Sequence, residues 1–116
     1  MEQAQEYLRE IQSIFKRELT ADEAAKIITA YNLAQSSHQG QMRASGEPFF
    51  EHPKEVGRIL AKFNMDVDTI ASGLLHDVCE DCGVPIDVIR EKFGNDVARI
   101  VDGVTKISNL KLNEKL

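Results

Sequence analysis

Apolar residues recur at intervals of three and four along almost the entire chain, and this spacing constrains the fold more than any other feature of the sequence. The clearest stripe consists of Val67, Ile70, Ala71, Leu74 and Val78. Such spacing places apolar side chains on one face of an α-helix. No segment shows the sustained alternation that is typical of a β-strand. The pattern therefore predicts an all-α fold.

About six helices are expected, and their ends follow from capping residues, prolines and glycines. Thr20 and Glu23 have the spacing of a capping box, so a helix should begin there. Asp66 and Asn95 are suitable N-caps, and Pro53 suits a first helical turn. In chain order the helices should cover roughly residues 3–17, 20–38, 53–63, 66–81, 85–93 and 95 onwards.

The length and composition indicate one domain and exclude several classes of protein. The chain has 116 residues, of which 42% are hydrophobic, and a net charge of −5. No apolar run approaches the roughly 18 residues of a transmembrane helix, and the polar start argues against a secretory signal. A net negative charge is unfavourable for a global electrostatic grip on nucleic acid. We therefore expect a cytoplasmic protein that binds neither membranes nor nucleic acid directly.

The polar residues with the clearest chemical potential form one cluster at the end of the predicted fourth helix. Glu80 follows His76 by four residues and Asp81 follows Asp77 by four, so two polar columns lie side by side on one helix face. Clustered carboxylates repel one another, and a divalent cation would offset their charge. Imidazole with carboxylates suits Zn, Fe or Mn. A solvated acidic helix end is the competing interpretation.

A metal site here needs another ligand, and two upstream histidines are candidates. His52 lies just before the predicted third helix, where a side chain has a fixed direction. His38 lies near the end of the second helix, where an imidazolium could cap the terminal carbonyls. A structural role therefore fits His38 better than His52.

A polar loop between the second and third helices has an arginine at its centre. Arg43 can stack on a nucleobase or form a fork with phosphate. Ser45 offers a hydroxyl and Gly46 an unhindered backbone amide. An ordinary surface loop is the alternative interpretation.

Cys79 and Cys82 form a Cys-x-x-Cys motif. A thioredoxin-like strand–helix context is lacking, and so is the second pair of ligands that a structural zinc site needs. We therefore expect Cys79 to pack as a small hydrophobic residue.

Three segments in order, residues 38–53, 69–81 and 93–107, resemble the N-terminal HD hydrolase domain of the bifunctional RelA/SpoT alarmone enzymes. The resemblance covers nearly the whole chain and is strongest over residues 30–107. It implies an HD-domain helical bundle, of which residues 1–116 form the N-terminal part. It also implies hydrolysis of the 3′-pyrophosphate of (p)ppGpp to GDP or GTP and pyrophosphate, with Mn²⁺ as the cofactor.

The resemblance also assigns roles to individual residues of this chain. Seven positions match: the metal ligands His52, His76 and Asp77, the acidic pair Glu80 and Asp81, and the nucleotide-binding residues Arg43 and Ser45. In the family, the acidic pair positions or activates the attacking water, and the arginine packs on the guanine.

The chain departs from the family pattern in ways that bear on activity. The fourth metal ligand of the family is an aspartate in a later segment that this sequence does not reach, and no synthetase domain is present. Ala44 stands where many hydrolase-active members have lysine. We therefore expect a fragment that binds Mn²⁺ weakly and hydrolyses (p)ppGpp slowly or not at all. Apolar surface left open at the missing helices favours a homo-oligomer.

Two other functions stay open at this point. One is a different metal-dependent HD phosphohydrolase that acts on ordinary nucleotides, and the other is a non-catalytic regulatory HD module. The resemblance also allows the parent enzyme to associate with the ribosome.

Overall fold

Six helices build the protein in a computed structural model that describes the backbone of residues 2–115 and the side chains of residues 2–107. They are α1 (Glu2–Ile14), α2 (Ala21–Ser37), α3 (Glu51–Lys62), α4 (Val67–Cys82), α5 (Ile86–Phe93) and α6 (Asn95–Lys115). Extended pairing within residues 2–115 is limited to one isolated bridge between Met42 and Pro48. The all-α prediction is confirmed.

α4 is the central helix and packs against α2, α3 and α6. The apolar stripe predicted from the sequence is buried, and so are Ser72, Gly73 and Leu75 on other faces of the helix. α1 packs against α2 and α3, and α5 packs against α6. Because α4 is enclosed by three helices, the residues in its last turns have fixed positions relative to the core.

α2 and α4 begin after the N-cap residues that the sequence predicts, Thr20 and Asp66. The Thr20 side chain accepts a hydrogen bond from the backbone N–H of Glu23 at 3.1 Å. In return, the Glu23 carboxylate accepts one from the backbone N–H of Thr20 at 2.9 Å. Asp66 accepts from the backbone N–H of Thr69 at 2.8 Å. These side chains satisfy amides that have no partner within the helix.

Three predicted boundaries differ from the observed ones by one to three residues. α1 ends at Ile14 rather than near residue 17. α3 begins at Glu51, so His52 lies in its first turn and not before it. Pro53 permits this because a proline in the first turn removes no helical hydrogen bond. Asn95 is the first residue of α6 rather than its cap.

None of the helices described is both long enough and apolar enough to cross a membrane.

Candidate metal centre

Two glycines set how closely α3 packs against its neighbours, Gly73 towards α4 and Gly57 towards α1. A Cβ atom at Gly73 would lie 2.6 Å from Leu60 Cδ1 and 3.1 Å from Val56 Cγ1. A Cβ atom at Gly57 would collide with the hydroxyl of Tyr7. No local sequence signal marks these glycines, because a glycine inside a helical pattern indicates only a lower helix propensity. The missing side chain at Gly73 lets α3 lie close to α4, and the missing side chain at Gly57 leaves room for Tyr7 of α1.

This close approach brings His52 of α3 beside His76 and Asp77 of α4. Each residue offers one ligand atom, and these atoms all lie within 4.8 Å of one another. His76 Nε2 lies 3.0 Å from Asp77 Oδ2, and His52 Nε2 lies 4.0 Å from the same oxygen. The three residues expected to bind metal therefore meet, although 24 residues separate His52 from His76 in the sequence.

A backbone hydrogen bond fixes the ring of His76. Its Nδ1 lies 2.7 Å from the carbonyl oxygen of Gly73. A carbonyl can only accept, so Nδ1 carries the proton and donates. Metal-binding histidines are commonly oriented in this way, with the other ring nitrogen directed at the metal. Here that nitrogen is Nε2, which faces Asp77.

The environment also sets the charges of the three residues. Burial lowers the pKa of His52, and the charges of His76 and Arg43 lower it further against the attraction of Asp77. Burial also favours the neutral form of His76. The hydrogen bonds of His76 to Asp77 and to the Gly73 carbonyl outweigh this effect of burial and raise the pKa of His76. Burial alone would raise the pKa of Asp77, yet the hydrogen bond and charge of His76 hold it below its usual value. At neutral pH a neutral His52 and an anionic Asp77 are the forms that bind metals. Two imidazole nitrogens and a carboxylate therefore form a possible divalent-metal site.

The acidic pair lies one helical turn beyond this cluster. Glu80 and Asp81 are exposed to solvent on the last turn of α4. The charge of Asp81 contributes to the raised pKa of His76, so the two groups are close enough to interact. The structure therefore places an accessible carboxylate beside the candidate metal ligands.

The loop of residues 38–50 carries the two predicted nucleotide-binding residues. Arg43 and Ser45 are both exposed. The loop is closed by backbone hydrogen bonds from Arg43 N to Glu47 O at 2.8 Å and from Phe49 N to Gln41 O at 2.9 Å. The ring of Phe49 lies 6.1 Å from the ring of His52 between centroids, so the end of the loop lies beside the metal cluster.

His38 has a structural role, but a different one from the role expected. Its backbone N–H bonds to Ala34 O at 3.0 Å and ends α2. Its ring is buried beside Gln41 and Cys82 instead of capping the helix carbonyls. Cys79 packs against the hydrophobic core, which confirms that prediction. The contact with Cys82 spans 44 residues, so no local sequence signal could indicate it.

Comparison with known proteins places this site in a family. Residues 30–115 match the HD domain family, and this segment contains every candidate site residue. The chain belongs to the HD domain family.

Relatives of this HD domain have names that concern guanosine polyphosphates. It is 42% identical to a guanosine-3′,5′-bis(diphosphate) 3′-pyrophosphohydrolase of Vibrio cholerae over 90% of this chain and 15% of the relative. It is 40% identical to the bifunctional (p)ppGpp synthase/hydrolase SpoT of Escherichia coli over 84% of this chain and 14% of the relative. It is 45% identical to a GTP pyrophosphokinase of Streptomyces antibioticus over 77% of this chain and 11% of the relative. The resemblance to RelA/SpoT enzymes is thus confirmed, and the chain spans about 15% of the length of such relatives.

Proposed function

We propose that this HD domain is the N-terminal part, residues 1–116, of a metal-dependent (p)ppGpp 3′-pyrophosphohydrolase of the RelA/SpoT type. The reaction adds water across the bond between the ribose 3′-oxygen and its pyrophosphate, so that GDP or GTP and pyrophosphate are released. The observation that carries the proposal is the meeting of His52, His76 and Asp77 at one point of the α3–α4 packing. The similarity to the Vibrio cholerae pyrophosphohydrolase supplies the substrate class.

In this proposal His52, His76 and Asp77 hold one Mn²⁺ ion. The donor set suits Mn as well as Zn or Fe, and the preference for Mn²⁺ rests on the resemblance to RelA/SpoT enzymes. A bound divalent cation supplies positive charge that offsets the phosphates and makes water more acidic. Three protein donors are few for such an ion, so we expect weak binding by this chain.

In this proposal the remaining site residues accept the proton of the attacking water and bind the nucleotide. The carboxylates of Glu80 and Asp81 can take the proton of the attacking water, and their exposure lets the proton leave to solvent. The Arg43 guanidinium can stack on the guanine or pair with phosphate. Ser45 can donate its hydroxyl to the same nucleotide.

The wider biological setting belongs to the same proposal. The protein acts in the cytoplasm on (p)ppGpp as a small-molecule substrate, without direct binding to nucleic acid or membranes. A homo-oligomer and contact of the complete enzyme with the ribosome are further parts of the proposal.

The test is release of pyrophosphate from ppGpp in the presence of Mn²⁺, measured on this chain and on the product of its complete gene. We expect His76→Ala and Asp77→Asn to lower hydrolysis by the complete protein at least about 100-fold, because each removes a metal ligand. The matched control is Asp87→Asn, which removes a carboxylate from the exposed surface of α5 and should leave the rate unchanged.

Each other result points to a defined alternative. Hydrolysis that survives both ligand substitutions shows that the metal assignment is wrong. Activity on ordinary nucleotides, with none on ppGpp, indicates a different HD phosphohydrolase. A folded complete protein that binds Mn²⁺ without any hydrolysis indicates a regulatory module.

A further inference from the structure

Three polar side chains meet between the loop of residues 38–50 and the end of α4, two of them from the loop and one from the helix. His38 Nδ1 lies 3.1 Å from Gln41 Oε1 and 3.4 Å from Cys82 Sγ. Gln41 Nε2 donates to the same sulfur at 3.5 Å. His38 is only 2% exposed, whereas Gln41 and Cys82 are half-buried, so these contacts are partly shielded from water. We call these three residues the His38 network.

The network holds both ends of the loop. At the start, the backbone N–H of Gln41 donates to His38 O at 2.9 Å. At the end, the ring of Phe49 lies 4.8 Å from the ring of His38, and its backbone N–H donates to Gln41 O. Phe49 also packs against His52, with 6.1 Å between the ring centroids. A continuous set of contacts therefore joins His38 to the candidate metal ligand at the start of α3.

The network also sets the distance between the loop and the acidic pair. Cys82 directly follows Asp81 in the last turn of α4, and Arg43 follows Gln41 by two residues. Within residues 2–107, the bonds of Cys82 to His38 and Gln41 are the side-chain hydrogen bonds that join this loop to α4. The internal backbone bonds of the loop preserve its turn, but they do not attach that turn to the helix.

We propose that His38, Gln41 and Cys82 are positioning residues that hold the loop of residues 38–50 against the end of α4, so that Arg43 meets the nucleotide beside the metal ligands. The statement about the nucleotide rests on the proposed function. The ordering of the loop depends on the His38 network alone and needs no nucleotide.

Hydrogen exchange of the loop amides tests the proposal without metal or substrate. Gln41→Ala and Cys82→Ala each remove part of the network. We expect both to speed exchange at Arg43, Gly46 and Phe49 by about five- to tenfold, because each removes two hydrogen bonds of the network. Cys82→Ser retains a polar acceptor and should restore most of the protection.

Cys79→Ala is the matched control, since Cys79 is the same residue type one turn earlier and packs against the core. We expect it to lower the melting temperature without faster exchange in the loop. In the complete protein with Mn²⁺ present, Gln41→Ala should weaken ppGpp binding by about five- to tenfold. The same substitution should change the affinity for Mn²⁺ by less than about twofold, since the metal ligands remain in place.

The outcomes separate this proposal from the proposed function. Unchanged loop exchange in folded Gln41→Ala overturns the positioning role. Exchange that is accelerated as much in Cys79→Ala as in Cys82→Ala also overturns it, because the effect then follows general stability. If the complete wild-type protein does not bind ppGpp, the proposed function fails, and the exchange experiment still decides whether the network orders the loop.

Discussion

The metal cluster and the loop of residues 38–50 lie side by side but are held in different ways. The side chains of His76 and Asp77 are 19% and 14% exposed and project from α4, which three helices enclose. Arg43 and Ser45 are exposed on a loop that depends on its own backbone bonds and the His38 network. Groups that act together on a metal need a fixed geometry, which packed helices supply. Groups that recognise a ligand are commonly carried by loops that can adjust to it.

Gly57→Ala should disturb the packed helices that carry the metal cluster, and it should have the largest effect on stability. The new Cβ would collide with the Tyr7 hydroxyl, which is buried and donates to Lys54 O at 2.9 Å. Either Tyr7 or α3 must move, so we expect the free energy of unfolding to fall by about 1–3 kcal/mol. Affinity for Mn²⁺ should fall as well, because α3 carries His52. Denaturant unfolding and a Mn²⁺ titration measure the two effects.

Two further variants show whether the collision is the cause. Gly103→Ala on α6 adds a Cβ with no neighbour within 4 Å and should be neutral or stabilising by up to about 1 kcal/mol. Tyr7→Phe in the Gly57→Ala background removes the obstructing hydroxyl and should recover part of the lost stability. Equal stability of the Gly57 and Gly103 variants would contradict the close packing of Tyr7 of α1 against α3.

The parts of the fold that could be read from the sequence are those fixed by local signals. Thr20 and Glu23 are three residues apart, and so are Asp66 and Thr69, so both helix starts are visible in short segments. The stripe of α4 likewise depends only on spacing. The meeting of His52 with His76 could be anticipated only through the resemblance to a family, because local spacing does not report which helices pack together.

Long-range contacts account for what the sequence did not reveal. The space at Gly57 is limited by Tyr7, which comes from another helix 50 residues earlier. Cys82 reaches His38 across 44 residues. Both cases depend on how helices pack, and neither leaves a periodic or capping signal in the sequence.

Arg43→Ala should act on the loop of residues 38–50 and leave the metal cluster unchanged. We expect ppGpp affinity to fall about tenfold, because a guanidinium that can stack or form charged hydrogen bonds is lost. The melting temperature should change by less than about 1 °C, because the side chain is exposed. Calorimetric titration and thermal unfolding provide both values in one preparation. Arg99→Ala removes a similarly exposed arginine from α6, and an equal loss of affinity in that variant would argue against a specific contact.

Glu23→Gln should have the smallest effect and lies outside both regions. Arg17 donates two hydrogen bonds to the Glu23 carboxylate, at 2.8 and 2.7 Å. Those bonds, with the backbone N–H of Thr20, lower the pKa of Glu23 from 4.5 to about 2. A lowered pKa stabilises the fold above the unfolded-state value and loses that contribution as the pH falls through the folded-state value. Because the pair is exposed, the gain should stay below about 1 kcal/mol.

Acid titration of stability checks the sign of this effect. The difference in unfolding free energy between wild type and Glu23→Gln should be constant above about pH 5 and shrink between pH 4.5 and 2. Glutamine can still accept the hydrogen bond from Thr20, so the helix cap is kept and the difference reports the ion pair with Arg17. A difference that grows as the pH falls would contradict the assignment.

In the proposed function, the packing of α3 against α4 builds a divalent-metal site from His52, His76 and Asp77. The most direct measurement is a titration of this chain with Mn²⁺, followed by the loss of the free-ion signal in electron paramagnetic resonance. We expect one site in the wild type and an affinity at least about tenfold lower in Asp77→Asn, with the helical circular dichroism unchanged. Equal binding of Mn²⁺ by wild type and Asp77→Asn would contradict it.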